Sequence, residues 1–162
     1  MAKKTITITL HVSELMYDVQ NKTYLTGRSR STGSNYEEVA NMQANDDDDN
    51  KFQILRSITN AFANLKTKLS EYLEETTTTA SNLLKENDPI TISMVVPSNY
   101  NQATNDSVAA SAHKYLVNTA VGDWFVITNK NDAADYFTFA EKNLEEIREA
   151  VNKRVRPVRT TA

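Results

Sequence analysis

Apolar residues alternate with threonine along Thr5-Ile6-Thr7-Ile8-Thr9-Leu10, so Ile6, Ile8 and Leu10 share one face of an extended chain. That period of two predicts a strand near the N-terminus. A second such run covers Ile90 to Val96, with Ile90, Ile92, Met94 and Val96 on one face, Asp88-Pro89 before it and Pro97 after it. Two short strands alone are marginal in water, so they pair with each other across the chain or with strands of a neighbouring subunit.

Elsewhere the period is helical. Val12, Leu15, Met16, Val19 and Thr23 lie on one side of a helix that Ser13-Glu14 can cap, running through about Leu25 and ending near Gly27. Arg28 to Asn35 reads as an exposed loop, and a short helix near Tyr36 to Ala44 leads into the acidic run Asp46 to Asp49. The clearest helix follows. Phe52, Leu55, Ile58, Phe62, Leu65, Leu69 and Tyr72 are spaced 3, 3, 4, 3, 4 and 3, the stripe of a helix with one buried face. The acidic run stands at its N-terminal end, where each charge gains about 0.3 to 1 kcal/mol at best from the helix dipole. Thr76 to Thr79 is β-branched and stops or bends this helix, which resumes weakly through Leu84.

Past Pro97, Asp106 or Ser107 can cap a helix carrying Val108, Tyr115, Leu116, Ala120, Trp124 and Phe125, with Gly122 as a weak point inside it. Thr128 to Asp132 reads as a turn. The last helix, from about Ala133 to Arg154, presents Phe137, Ala140, Leu144, Ile147 and Val151, and Arg156-Pro157 ends it. The segment from Trp124 and Phe125 to Phe137 is then the joint of a helical hairpin. The expectation is one mainly α, helix-rich domain over residues 1–162, a helical hairpin or bundle with a minor two-stranded β element and extended termini. Its parts are a strand or arm at 1–10, a polar and acidic loop region at 28–50, and a basic C-terminal arm at 155–162.

Composition narrows the chemistry. With 162 residues, 40% of them apolar and 24% charged, the chain suits one aqueous core, and a fold of this size buries roughly 70% of its unfolded surface. The first residues are too polar for a signal-peptide core, and no apolar run approaches the roughly 18 residues of a membrane span. The absence of cysteine excludes disulfides, thiolate metal sites and cysteine nucleophiles. The three glycines, Gly27, Gly33 and Gly122, allow no glycine-rich phosphate loop. A calcium loop starting at Asp46 fails at both diagnostic places, with Lys51 at the turn and Ser57 at the bidentate position. His11 and His113 have no partner acid at metal-ligand spacing, and His113 reads as a satisfied or exposed surface histidine. Glu141, Glu145 and Glu146 stand among Lys142, Arg148 and Arg154 as a solvated helix face. The residues therefore point to no catalytic, cofactor or metal site, and to a protein that is not an enzyme.

Charge and aromatic content point to association instead. Net charge is −3, yet from Arg148 onward five basic residues, Arg148, Lys153, Arg154, Arg156 and Arg159, face one acid, Glu149. Such a tail suits phosphate or an acidic protein surface. Seven tyrosines suit surfaces that are apolar with a wet edge, as at subunit contacts, and equally suit half-buried packing.

Several stretches, Asn21-Lys22-Thr23-Tyr24-Leu25-Thr26-Gly27, Tyr115 to Asn118, Gly122-Asp123-Trp124-Phe125, Asn129 to Ala134, Tyr136 and Arg154-Val155-Arg156-Pro157, together resemble phage and prophage proteins of gut Bacteroides-type bacteria with no assigned chemistry. Those proteins sit among virion genes, including genes for the head-to-tail connector. The resemblance implies a structural virion protein, a homo-oligomeric ring, twelve-fold as connectors usually are, between portal and tail proteins around the DNA channel. Ile6, Ile8, Leu10, Trp124, Phe125, Arg154, Arg156 and Arg159 are the expected interface residues, with the arginines meeting an acidic neighbour or DNA phosphates without base readout. The alternative is a small phage nucleic-acid-binding or regulatory protein using Arg28-Ser29-Arg30 and the tail.

Overall fold

The structure is a computed structural model that describes residues 2–75, 79–87 and 89–160. In chain order it comprises strand β1 (Lys3–Leu10), helices α1 (Val12–Ser29), α2 (Tyr36–Met42) and α3 (Asp48–Lys68), a 3-10 turn (Ser70–Tyr72), strand β2 (Ile90–Pro97), a second 3-10 turn (Gln102–Thr104), and helices α4 (Asn105–Thr128) and α5 (Lys130–Val151). The protein is mainly helical with one two-stranded antiparallel sheet. No helix among the described residues is long and apolar enough to cross a membrane.

The sheet settles the pairing that the sequence left open. β1 and β2 pair within one chain, Ile6 opposite Met94 and Ile8 opposite Ile92. Their alternation lays Ile6, Ile8, Leu10, Ile90, Ile92, Met94 and Val96 into the core, while Thr5, Thr7 and Thr9 face solvent. β1 is therefore a strand of the body and not a detached arm.

α4 lies at the centre, against α5, α3, α1, α2 and β1. A helix surrounded on most sides needs small or apolar residues all round, and α4 buries Val108, Ala112, Leu116, Val117, Val121 and Phe125, which no single stripe could contain. α4 and α5 form an antiparallel hairpin with Asn129 alone between them. Its amide donates to the Phe125 carbonyl at 2.8 Å, its carbonyl accepts from the Asp132 amide at 3.2 Å, and its side-chain amide donates to the Asp132 carboxylate. The expected turn from Thr128 to Asp132 thus shrinks to one residue, because Asp132 is spent in the first turn of α5, where the dipole favours it. At Gly122 the helices approach so closely that an added Cβ would lie 2.7 Å from the Phe137 ring. Further along, Asn118 Nδ2 donates to Asn143 Oδ1 at 2.7 Å, and Asn143 Nδ2 and Ser111 Oγ donate to Glu146 Oε2 at 3.2 and 3.3 Å. This ladder fixes the register of the hairpin, since sliding by one turn would leave buried amides without partners.

Three expectations change. Gly27 does not end α1, which continues to Ser29. An added Cβ at Gly27 would sit 3.2 Å from the Val39 carbonyl oxygen, so this glycine lets α2 pack against α1. The helix expected to resume toward Leu84 is absent from the described part of that segment. The chain instead runs irregularly beside α3, the Lys85 amide donating to Thr59 Oγ1 at 3.0 Å, while Thr76 to Thr78 lie outside the described residues, as does Asp88 before β2. The region 28–50 is not one loop, because it holds the end of α1, all of α2 and the start of α3, with Asp48 and Asp49 in the first turn of α3.

The hairpin is locked to α1 by Arg30, whose Nε and Nη2 donate to the two Asp132 oxygens at 3.0 and 2.5 Å, and by a 2.6 Å hydrogen bond between the Thr26 and Tyr136 hydroxyls. The Arg30 hydrogen bond, helped by Asn129, holds the Asp132 carboxyl below its ordinary range against the opposing effect of burial.

Two outcomes follow from this packing. Gly122→Ala destabilises the protein by about 1 to 2 kcal/mol in urea unfolding, because the clash with Phe137 outweighs the helix-propensity gain of about 1 kcal/mol, and adding Phe137→Leu recovers most of the loss. Because folding depresses the pKa of Asp132, its contribution is complete above the ordinary aspartate value of about 3.9 and disappears as pH falls through the depressed value. Asp132→Asn therefore lowers stability at neutral pH and flattens the decline in urea midpoint below pH 4; an unchanged acid limb would refute this account.

Candidate functional site

The structure divides the eight residues expected at an interface into two groups. Ile6, Ile8 and Leu10 are at most 6% exposed and Phe125 is fully buried. The three strand residues are consumed by the sheet's own packing, and Phe125 meets the Tyr136 ring at 5.4 Å inside the hairpin joint. Their side chains are core, which corrects the expectation that they face another chain. Trp124 is half-buried, its Nε1 donating at 2.9 Å to the Met42 carbonyl at the end of α2, and it lines a shallow cleft with Ala40 and Ile127. Arg154 is exposed and folds back on its own segment, Nη1 donating to the Val151 and Lys153 carbonyls at 3.0 and 3.2 Å. Arg154, Arg156 and Arg159 are all exposed, and of the three Arg156 and Arg159 lie beyond the residues bonded to the loop after β2.

The C-terminal arm is shorter than expected. The Val155 amide donates to the Asn99 carbonyl at 2.8 Å, the Asn101 amide donates to the Lys153 carbonyl at 3.0 Å, and Arg154 bridges Tyr100. Residues 153–155 are thus stitched to the loop after β2, and the free arm begins at Arg156. The same loop holds the other end of the chain, the Ser98 amide donating to the Ala2 carbonyl at 3.1 Å. Lys3 and Lys4 are thereby brought to the end of the molecule that carries Lys153, Arg154, Arg156 and Arg159. Lys3 and Arg154 line one cleft of about 560 Å³ together with Tyr72 and Pro97. Within this group Lys153 is offset by Glu149 at 3.2 Å.

The sheet offers a second feature, carried by backbone. Because the Ser98 amide bonds to Ala2, the ladder places the even-numbered residues of β1 in hydrogen-bonded pairs and points the N–H and C=O groups of Lys3, Thr5, Thr7 and Thr9 outward. The outer edge of β2 is covered in part, with Leu73 bridging Met94 and the Glu74 amide donating to the Ser93 carbonyl at 3.0 Å, and Pro97 terminates it. Among the described residues nothing pairs with the outer edge of β1.

A third feature was missed entirely. Between α1 and α3 runs a groove of about 570 Å³ with Met16, Tyr17 and Leu55 on its apolar walls and Asp46, Asp48 and Glu86 on its rim. Tyr17 is 66% exposed there. Of the seven tyrosines, Tyr17, Tyr24 and Tyr36 are exposed, Tyr100 and Tyr115 are buried, and Tyr72 and Tyr136 lie between, so neither reading of them holds alone.

Titratable groups do meet inside the fold. His113 Nε2 lies 2.6 Å from Asp18 Oδ2, a partner supplied by α1 that no sequence spacing could reveal. Neither residue lines the clefts named above, and the pair ties α1 to α4. Burial raises the Asp123 carboxyl above its usual range, opposed by a hydrogen bond from Ser57. Among the described residues no group of three or more acids and histidines is arranged to hold a metal ion. No family model, curated protein or solved structure matches this chain.

Proposed function

We propose that the chain is a structural virion protein, a subunit of a head-to-tail connector ring that binds copies of itself and adjoins portal and tail proteins around the DNA channel. The observation that carries this reading is the outer edge of β1. It belongs to an eight-residue strand without proline or bulge, no segment among the described residues covers it, and Lys3 and Lys4 blunt its start. Proteins normally protect such an edge, and an unprotected one is a template for strand addition by another chain. In the ring, this edge takes a strand from the adjoining portal or tail protein. The resemblance to phage virion proteins supplies the setting, and the function is mechanical, carried by interfaces and not by a catalytic group.

A second reading is favoured by the gathering of Lys3, Lys4, Arg154, Arg156 and Arg159 at one end, which suits phosphate contacts in a small nucleic-acid-binding or regulatory protein. Affinity for a duplex oligonucleotide that falls steeply with salt in a monomeric subunit would favour it.

Electron microscopy and sedimentation of the purified chain are expected to find closed rings. Thr7→Pro removes one outward N–H and none of the bonds to β2, so it leaves the fold and the ring intact. In a particle-assembly complementation assay it yields heads without tails. A compact monomer at all concentrations would sink the connector reading, and normal particles from Thr7→Pro would remove the edge from it.

A further inference from the structure

The charged groups of this chain are segregated along β1. At its Lys3 end stand the stitched C-terminus and its free cations. At its Leu10 end, two residues before Val12, lies the groove between α1 and α3. Three carboxylates, Asp46, Asp48 and Glu86, border this groove against one cation, Lys51, and Asp47 and Asp49 follow on the same stretch of chain. Gln20 Nε2 donates to Asp46 Oδ1 at 2.8 Å. Among the described residues none of these carboxylates has a cation within 4.0 Å. The groove is lined mainly by polar and acidic groups around an apolar strip of Met16, Tyr17 and Leu55, and the 66% exposure of Tyr17 leaves a large aromatic face uncovered.

The free arm has the complementary pattern. Arg156-Pro157-Val158-Arg159 is exposed and without secondary structure, with Val158 at 90% exposure between two arginines that make no ion pair among the described residues. Proline stiffens it toward an extended form, which lowers the ordering cost of lying in a groove. Reach decides whose arm it is. Four residues beyond Val155, Arg159 lies at most about 14 Å from the stitched point. The eight residues of β1 that separate the two ends cover about 24 Å. The backbone of the arm therefore falls about 10 Å short of the strand's length, which favours the groove of another copy over its own.

We infer that the groove between α1 and α3 receives the C-terminal arm of a second copy of this chain, head to tail, with Val158 against Tyr17 and Met16 and with Arg156 and Arg159 among Asp46, Asp48 and Glu86. A contact between two different surfaces of identical chains propagates, and it closes into a ring when the rotation per copy divides the circle. The inference rests on the ring reading and names the joint that builds it.

Because the chain has no cysteine, single cysteines report the joint. Full-length Tyr17→Cys and Val158→Cys chains are mixed, allowed to exchange subunits and treated with a short bismaleimide. The expected product is the mixed dimer, in excess over either like pair. Charge reversal, Arg156→Glu with Arg159→Glu, lowers its yield about tenfold, as loss of two rim ion pairs should, and Asp48→Lys with Glu86→Lys on the partner restores it. Rings by sedimentation without the mixed dimer overturn this joint and leave the ring reading standing. A monomer without crosslink overturns both. A crosslink within one chain carrying both cysteines at high dilution also overturns it, since the arm would then reach its own groove. So does a mixed dimer unaffected by charge reversal when the same reversal abolishes binding to a duplex oligonucleotide, which would assign the arm to DNA.

Discussion

Everything in this fold is arranged around the contact between α4 and α5 where Gly122 meets Phe137. Two helices this close, joined through one residue, have almost no freedom of relative position, and Asn118 and Asn143 remove what freedom of register remains. A hairpin fixed in that way is a rigid platform. α1 and α3 pack on α4, the sheet lies across it, and α2 is held by the Trp124 hydrogen bond to the carbonyl of Met42. At its open end the hairpin is closed by Thr104, whose single hydroxyl hydrogen is shared among the Asn101 and Ala150 carbonyls and the Tyr100 hydroxyl, all 2.9 to 3.0 Å away.

From that end the consequences pass to the surface. Tyr100 is almost wholly buried and its hydroxyl donates to Asn105 at 2.8 Å, so the loop after β2 is anchored in the core. Backbone bonds from this loop then hold Ala2 on one side and Lys153 to Val155 on the other. The joining of N- and C-terminal cations is therefore a by-product of how one tyrosine is buried. Backbone packing, more than the nearby acids Glu149 and Glu71, holds these like charges together.

Much of the architecture was legible because faces write themselves into sequence. The stripe through Leu55, Ile58, Phe62 and Leu65 marked α3, and the alternations marked both strands within a residue or two of their ends. What failed had several meanings in one letter. Gly27 reads equally as a helix stop or as a place where another backbone comes close, and only the position of Val39 decides. Asn131 and Asp132 read as turn residues, yet aspartate in a first helical turn is as favourable. α4 was read from Val108 to Phe125 but not its central place, because a helix buried on most sides carries more than one stripe. Of the candidate surfaces, the exposed arginines of the tail could be seen in advance. The groove could not, since Tyr17, Asp46 and Glu86 are brought together by tertiary packing alone.

The strand shows why a face and an edge must be judged separately. Ile6, Ile8 and Leu10 looked like interface residues because two short strands cannot be stable by themselves, and that premise was correct. The remedy is internal: β2 and α4 cover their side chains. Hydrogen-bonding groups, however, lie in the plane of the sheet, at right angles to the side chains, and burying one face leaves the edges untouched. A hydrophobic pattern therefore reports which face a strand buries and is silent on which edge it leaves open. In this molecule the side chains of Ile6, Ile8 and Leu10 belong to the core, while the N–H and C=O groups of Thr5, Thr7 and Thr9 remain turned outward in the plane of the sheet.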